Sequence, residues 1–145
     1  MRKLAVTQLE PKDLATAILS EQSGQTIIID VRDADYEGGN IKGSVNIPYF
    51  DEAKASELAT TVIDKNITMV VFHCYFCRMR GPTAAKLFAK VLGTNYPDQS
   101  AHVKIKVLRG GWSNWKNNFK ADDKLVENVK QLNHFIRAVR KPETE

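Results

Sequence analysis

One short segment of the chain carries two side chains that are suited to phosphate chemistry. The segment reads Val70-Val71-Phe72-His73-Cys74-Tyr75-Phe76-Cys77-Arg78-Met79-Arg80-Gly81-Pro82-Thr83, so that five residues separate Cys74 from Arg80. A cysteine thiolate is a strong nucleophile, and the planar guanidinium of arginine matches two oxygens of a tetrahedral or trigonal oxyanion. The pair therefore predicts a cysteine-dependent enzyme that acts on phosphate or on a phosphate-like oxyanion.

The segment from Cys74 to Arg80, the Cys74–Arg80 loop, connects an apolar run to a helix that opens with Gly-Pro. A connection this short has to curl, which turns consecutive backbone N–H groups inward and forms a site for an anion. The N-terminal end of the next helix adds positive potential and free amides, and the same field lowers the pKa of a thiol. We predict Cys74 at the base of this phosphate-binding loop, whose walls are Tyr75, Phe76, Cys77, Arg78 and Met79.

Several residues of the loop have more than one interpretation. Cys77 is either a small loop side chain or a redox partner that forms a reversible disulfide with Cys74 and protects it from over-oxidation. Cys74 itself could be an inert buried thiol, but its register with Arg80 argues against that. Arg78 is expected to point outward and attract anions. His73 is expected to end the strand and hydrogen-bond to the loop, without acting as a base.

Other notable side chains are predicted to be structural. Asp30 and Arg32 follow another apolar run, and we expect them to pair with loop amides and with Glu37, holding neighbouring segments in place. Aromatic residues at three- and four-residue steps indicate a packed helix face and not a ligand cage; they are Trp112, Trp115 and Phe119.

The composition predicts one soluble domain over residues 1–145. Hydrophobic residues make up 43% and charged residues 26%, and no apolar run reaches the roughly 18–20 residues of a membrane span. The N-terminus lacks the apolar core of a secretory signal, so we expect a cytoplasmic protein, with the nucleus as a second location. The net charge of +4 suits anionic partners, but the positive charges are spread along the chain. Neither a nucleic-acid partner nor a membrane partner is expected.

Neither a metal nor a cofactor is predicted. The chain has two cysteines, which are too few for a disulfide scaffold, and three histidines without the paired spacing of a zinc site. The expected partners are therefore substrates: a phosphorylated protein or a small oxyanion.

Strands and helices are predicted to alternate. The predicted strands are 4–9, 26–31, 44–47, 67–72 and 103–108, and the predicted helices are 11–20, 51–61, 82–92, 112–119 and 122–139. This alternation is typical of βαβ units, in which a mostly parallel sheet is flanked by helices and ligands bind at the carboxyl ends of the strands. The core is expected over about residues 4–119, with the helix at 122–139 packed against it.

Three blocks of sequence resemble one known family. His73-Cys74, five residues and Arg80-Gly81-Pro82 look like the active loop of the cell-division-cycle twenty-five type phosphatases, which share the rhodanese fold with sulfurtransferases. Residues 28–46 and 107–112 are similar to two further blocks of that family, in the same order. The resemblance implies a rhodanese-like single α/β domain. It also implies a phosphatase of the protein tyrosine or dual-specificity type that hydrolyses phosphate monoesters through a cysteinyl-phosphate.

The chain departs from that pattern at positions that bear on the substrate. Val31 stands where the larger phosphatases have a second cysteine, and Tyr75 and Met79 stand where their loop has glutamates considered as general acids. Without an acid, a poor alkoxide leaving group is hard to expel. The small eukaryotic arsenate reductases of the rhodanese fold are similar in size and need no such acid, which implies glutathione and glutaredoxin as co-reductants. Sulfurtransferase activity is disfavoured because a persulfide needs a smaller loop, and a silent anion-binding module is disfavoured by the intact cysteine.

Overall fold

The computed structural model describes residues 3–20 and 23–129. The described strands are β1 Val6–Leu9, β2 Thr26–Asp30, β3 Asn40–Ile41, β4 Val45–Asn46, β5 Met69–His73, β6 Lys104–Leu108 and β7 Val126–Glu127. The described helices are α1 Pro11–Leu19, α2 Glu52–Asp64, α3 Arg80–Asn95 and α4 Gly111–Phe119, with short 3₁₀ turns at Ser23–Gln25, Ala34–Tyr36 and Gln99–His102.

Five strands form one parallel sheet in the order β1-β6-β5-β2-β4. Strands β2 and β5 lie inside this sheet, and their near-continuous β-branched and aromatic sequences suit strands that are covered on both faces. The remaining pair, β3 and β7, forms a two-stranded antiparallel sheet. The predicted α/β class with a mostly parallel central sheet is confirmed.

Helices cover both faces of the parallel sheet, and each face has its own apolar core. Helices α2 and α3 pack on one face, where the buried residues include Ile29, Ala55, Leu58, Val62, Val70, Phe72, Ala85, Phe88, Leu92 and Ile105. Helices α1 and α4 pack on the other, with Leu14, Ile28, Ile41, Val71, Leu108, Trp112, Trp115 and Leu125. The predicted packing role of Trp112 and Trp115 agrees with this arrangement. The two apolar cores hold the parallel sheet in place between the helices. The carboxyl end of β5, where the Cys74–Arg80 loop begins, is therefore held in a defined position.

The predicted C-terminal helix at 122–139 is wrong over residues 122–128, and residue 129, the last that the structure describes, is helical. Residues 122–125 form a turn and residues 126–127 form strand β7, while residues 130–139 lie outside the described residues. The carbonyl of Leu125 accepts hydrogen bonds from the backbone amide of Lys42 and from the indole of Trp115, each at 3.0 Å. These tertiary bonds, together with the pairing of β7 with β3, take the backbone away from a helical path.

Within residues 3–20 and 23–129, none of the helices has both the length and the apolar character needed to cross a bilayer.

Candidate active site

The Cys74–Arg80 loop lies at the carboxyl end of the central strand β5, between the last residue of the strand, His73, and the first residue of helix α3. Strands β2 and β6 pair with β5 on either side, which places the segments after β2 and β6 beside the loop. This edge is where parallel sheets bind ligands. The loop therefore occupies the position that the sequence predicted.

The backbone carbonyls at the start of the loop are held by the first turn of helix α4. The amide of Trp112 donates to the carbonyl of Cys74 at 3.0 Å, and the amide of Ser113 donates to the carbonyl of Tyr75 at 2.8 Å. With these carbonyls engaged by α4, the backbone amides of Cys77 and Gly81 donate to the Cys74 thiol.

Two glycines allow the helices to approach the loop this closely. A Cβ atom on Gly111, whose φ is +58°, would lie 2.5 Å from the carbonyl oxygen of Cys74. A Cβ atom on Gly81 would lie 2.9 Å from the Cys77 sulfur and 3.3 Å from the Cys74 nitrogen. Neither position has room for a side chain, so both glycines are required by the packing of α3 and α4 against the loop.

The environment of the loop favours the thiolate form of Cys74. The pKa of Cys74 is lowered to about 5, chiefly by the hydrogen bond from the Cys77 thiol and also by the backbone amides of Gly81 and Cys77. Burial opposes this shift, and the charge of Arg80 assists it. At neutral pH Cys74 is therefore a thiolate, whose charge is stabilised first by the Cys77 thiol and then by the backbone amides of Gly81 and Cys77.

The lowered pKa predicts a particular pH profile for alkylation of Cys74. The thiolate fraction rises with pH, so the rate of reaction with iodoacetamide should rise with a midpoint near pH 5 and then stay level through neutrality. The measurement is the rate of label incorporation at Cys74 by mass spectrometry across pH. A Cys74→Ser variant provides the blank. A midpoint near about 8.5, the value of an ordinary thiol, would contradict the geometry described above.

Cys77 faces the same space as Cys74 and acts as its hydrogen-bond donor. Its φ of +61° folds the loop back on itself. The pKa of the Cys77 thiol is raised, first by its hydrogen bond to Cys74, then by burial and by the charge of Cys74. Both cysteines are free thiols in the structure. The predicted proximity of the two sulfurs is consistent with this arrangement, and their disulfide remains a prediction.

The guanidinium of Arg80 is engaged by two aspartates. It donates to both carboxylate oxygens of Asp35, at 3.1 and 2.7 Å, and lies 3.6 Å from Asp33. The bonds with Asp35 raise the pKa of Arg80 and hold the pKa of Asp35 below its ordinary value. The charge of Cys74 also contributes to the raised pKa of Arg80, which puts the guanidinium within electrostatic reach of the thiolate.

Asp30 and Arg32 form a fully buried ion pair beside the site. The Arg32 side chain donates three hydrogen bonds to Asp30, at 2.7 to 3.1 Å, and further bonds to the carbonyls of Asp35 and Gly39. Its guanidinium also stacks on the ring of Trp112 at 5.0 Å. The backbone amide of Arg32 donates to Asp30, which agrees with the predicted structural role.

The predicted pairing of this unit with Glu37 is wrong. Glu37 is exposed, and within the described residues Arg32 reaches backbone carbonyls on either side of it. Fixed carbonyls take the remaining guanidinium donors at less entropic cost than a long, solvated side chain would. Arg32 thereby fixes the segment that carries Asp35.

His73 ends strand β5 and is fully buried. Its Nδ1 lies 3.1 Å from the carbonyl oxygen of Cys74 and must donate to it, as expected for a structural residue. Burial lowers the pKa of His73, so the ring is neutral and its 3.6 Å approach to Asp30 through Nε2 is not an ion pair. His73 therefore adds a second support, after helix α4, for the carbonyl of Cys74.

The outer side of the loop is aromatic, apolar and basic. Arg78 is exposed and stacks on Phe76 at 5.5 Å, so it points outward as predicted. Tyr75 packs against Phe76, with ring centroids 4.8 Å apart, and its hydroxyl lies 3.3 Å from the ammonium of Lys116. Met79 is 76% exposed, which puts an apolar side chain on the rim of the site.

A groove of about 320 Å³ lies beside Arg80 and is bounded by Val31, Asp33, Tyr49, Phe50, Met79, Thr83 and Ala84. A larger concavity of about 530 Å³ contains none of the predicted site residues and is lined by Val62, Ile63, Asn66, Ile67, Thr68, Asp98, Gln99, His102 and Val103. The smaller groove is therefore the one of these two that adjoins the Cys74–Arg80 loop.

Sequence reasoning does not identify three contributors to the site. Asp35 lies 45 residues before Arg80 and is one of many exposed acids, so nothing local marks it as a partner. Gly111 lies in the block at 107–112 that resembles a family, and Trp112 is predicted only to pack on a helix face, so their contacts with the carbonyl of Cys74 are not predicted. The glycine pair Gly110-Gly111, one residue after the predicted strand 103–108, is a usable signal for close approach of backbone.

Among the described residues, no group of three or more histidine, cysteine, aspartate or glutamate side chains is placed to hold a metal ion.

Comparisons with known proteins agree on one family. Residues 11–118 match the rhodanese-like domain. The chain is 30% identical over 122 residues to "Dual specificity phosphatase ibp1" of Schizosaccharomyces pombe, covering 75% of this chain and 88% of that protein. It is 34% identical over 101 residues to "Arsenate reductase 2.1" of Oryza sativa subsp. japonica, covering 68% of this chain and 61% of that protein.

A solved structure gives the same result. Ygr203w, described as a yeast protein tyrosine phosphatase of the Rhodanese family, superposes with a TM-score of 0.73 and 28% identity, covering 88% of this chain and 94% of that one. The relatives thus include phosphatases and an arsenate reductase. On the match over most of its length, the chain belongs to the rhodanese-like domain family.

Proposed function

We propose that the protein is a cysteine-dependent phosphatase that hydrolyses phosphate monoesters through a cysteinyl-phosphate intermediate. The observation that carries this proposal is the Cys74 sulfur at the convergence of the Cys77 and Gly81 amides, with its pKa lowered to about 5. Those amides can stabilise the charge of a transferring phosphoryl group at the place where the nucleophile attacks it. The phosphatases among the relatives support the same activity.

The reaction proceeds in two displacements at phosphorus. In the first, the Cys74 thiolate forms a sulfur–phosphorus bond while the bond to the ester oxygen breaks. In the second, water attacks phosphorus, the sulfur–phosphorus bond breaks, and inorganic phosphate leaves with Cys74 restored as a thiolate. The Arg80 fork would bind two oxygens of the phosphoryl group once it turns from Asp35.

The groups around the site point to aryl phosphates as substrates. Arg80 holds the pKa of Asp35 below its ordinary value, and even that ordinary value leaves the carboxylate ionised at neutral pH after Arg80 has turned away, so Asp35 is a poor proton donor to a leaving oxygen. A phenolate is a better leaving group than an alkoxide because it is far less basic. The groove next to Arg80 has the exposed Tyr49 and Met79 on its rim, which suits the ring of a phosphotyrosine residue in a phosphorylated protein.

The test of this function is phosphate release from a series of aryl phosphates of increasing phenol pKa, with an alkyl phosphate at the end of the series. We expect hydrolysis to slow steeply as the phenol becomes more basic, and the alkyl ester to react at least about 100-fold more slowly. No phosphate release from any member, by protein whose Cys74 is reactive to iodoacetamide, would overturn the proposal.

Replacing Arg80 tests the role of the planar fork. In the Arg80→Lys variant the charge remains but bidentate binding is lost, so we expect kcat/KM for an aryl phosphate to fall by about 10²–10³-fold. The matched control is Arg78→Lys in the same loop, since Arg78 points outward; its kcat/KM should change less than about threefold. Equal effects of the two substitutions would show that Arg80 contributes charge alone.

Arsenate reduction is a second candidate function, favoured by the likeness to the rice arsenate reductase. Arsenate has the shape and charge of phosphate, so the same thiolate and amides can bind it. In this reaction glutathione and glutaredoxin would act as external reductants, and no acid beside Cys74 is needed.

A further inference from the structure

Two thiols share the small space at the base of the Cys74–Arg80 loop. The Cys77 sulfur lies 4.0 Å from the carbonyl oxygen of Phe72, the residue two before Cys74. The site of a Cβ atom on Gly81 is within 2.9 Å of the Cys77 sulfur and 3.3 Å of the Cys74 nitrogen, so all three groups meet at one point. Both cysteines also contact the same apolar cluster.

We propose that Cys77 is a second catalytic residue, which resolves a covalent Cys74–arsenate adduct by closing a Cys74–Cys77 disulfide. The chain would then reduce arsenate by two electrons from its own thiols, without glutathione in that step. The proposal rests on the second candidate function, arsenate reduction. It names the thiols of Cys74 and Cys77 as the internal reductant of that reaction.

The chemistry balances over two steps. The Cys74 thiolate attacks arsenic, an arsenic–oxygen bond breaks, and the oxygen leaves as water, giving a sulfur–arsenic(V) bond. The Cys77 thiolate then attacks the Cys74 sulfur, and the electron pair of the sulfur–arsenic bond goes to arsenic, which leaves as arsenous acid. In total, two thiols, one dihydrogen arsenate and one proton give one disulfide, one arsenous acid and one water. Arsenic gains the two electrons that the two sulfurs lose.

The contacts of Cys77 also explain why it would react second, after the bond between Cys74 and arsenic has formed. Before the first step Cys77 donates its proton toward the Cys74 thiolate, and that hydrogen bond and that charge are two of the three causes that raise its own pKa. Once the Cys74 sulfur is bonded to arsenic it carries no thiolate charge, and both causes disappear. The Cys77 thiol therefore becomes easier to ionise after the adduct has formed, which is when a second thiolate is required.

A cysteinyl-phosphate gives Cys77 no equivalent reaction, because a thiol does not reduce phosphorus(V). Water remains the only nucleophile that can complete that cycle. One loop can thus serve ester hydrolysis and arsenate reduction, and Cys77 acts as a nucleophile in the second reaction alone.

The test uses the full chain, fully reduced, freed of external thiol and mixed with excess arsenate. We expect a burst of about one arsenite per protein molecule, loss of both free thiols, and a Cys74–Cys77 disulfide in the mass map. In a Cys77→Ser variant, which keeps a hydroxyl donor, the burst should fall at least about tenfold because the resolving thiol is gone. Alkylation of Cys74 at pH 6 serves as the check that this variant retains a folded loop.

Separate reaction conditions distinguish the possible outcomes. Glutathione with glutaredoxin should restore arsenite formation to Cys77→Ser, which would support Cys77 as the internal reductant. An undiminished burst from Cys77→Ser, or arsenite from the unmodified chain only when glutathione is present, would overturn the proposal. Absence of arsenite under both conditions would overturn it together with the second candidate function. Aryl phosphate hydrolysis by the same preparation decides the phosphatase proposal independently.

Discussion

A Cys74→Ser variant should lose aryl phosphatase activity by at least about a thousandfold while keeping its fold. The hydrogen bonds that give the Cys74 thiol a pKa of about 5 cannot bring a serine hydroxyl, with its far higher pKa, to a useful degree of ionisation. Since the side chain is almost fully buried at 3% exposure and serine is slightly smaller, the packing should tolerate the change. The measurement is kcat/KM for an aryl phosphate, with the thermal midpoint recorded on the same sample.

Anion binding supplies the control for this variant. The amides of Cys77 and Gly81 are backbone groups, so they remain after the substitution, and sulfate or tungstate should still bind within a few-fold of the original affinity. Hydrolysis within tenfold of the unmodified protein would show that Cys74 is not the nucleophile. Loss of both hydrolysis and anion binding would instead indicate that the loop has collapsed.

An Arg32→Met variant should lose about 3–5 kcal/mol of unfolding free energy. The substitution leaves the Asp30 carboxylate fully buried without its counterion, and it leaves the carbonyls of Asp35 and Gly39 without their donors. The stacking of the guanidinium on Trp112 is lost as well. Urea unfolding at neutral pH, followed by the fluorescence of the two buried tryptophans, measures the change.

Two further variants separate the buried charge from a general effect of losing arginine. Arg109→Met removes an exposed arginine from a surface ion pair with Glu10 and should change the unfolding free energy by less than about 0.5 kcal/mol. The double variant Asp30→Leu with Arg32→Met buries no charge and should recover at least about half of the loss. A double variant as unstable as Arg32→Met alone would show that the lost hydrogen bonds to carbonyls dominate.

The regular part of the fold was predictable because its signals are local. Strands β2, β5 and β6 are five-residue runs of mainly apolar or β-branched residues bounded by loops, and the predicted ranges overlap all three. Strands β3 and β7 have two residues each and pair across more than 80 residues of sequence. Neither has enough length to show a period, and β7 lies in a stretch whose apolar spacing is helical. Their pairing depends on the tertiary structure, so no local sequence pattern predicts it.

The same distinction applies to the site. Cys74, Cys77 and Arg80 share one loop, so their spacing reports their proximity directly. The partners of that loop come from elsewhere in the chain: Trp112 holds its carbonyl, and Asp35 holds its arginine. Both depend on which segments the strand order brings to the carboxyl edge of the sheet, and the sequence alone left the strand order open.

The ion pair between Arg80 and Asp35 means that the site contains its own competing anion. Any oxyanion that uses the Arg80 fork must first displace a carboxylate that already occupies it bidentately. Apparent affinity is then reduced by the fraction of molecules in which the arginine is released. A dianion such as a phosphate monoester gains more from that exchange than chloride or a carboxylate does, because it brings twice the charge of Asp35. The internal carboxylate thus weakens the binding of every ligand that uses the Arg80 guanidinium by the same factor, so only a ligand with a large gain from the exchange, such as a dianion, still binds well.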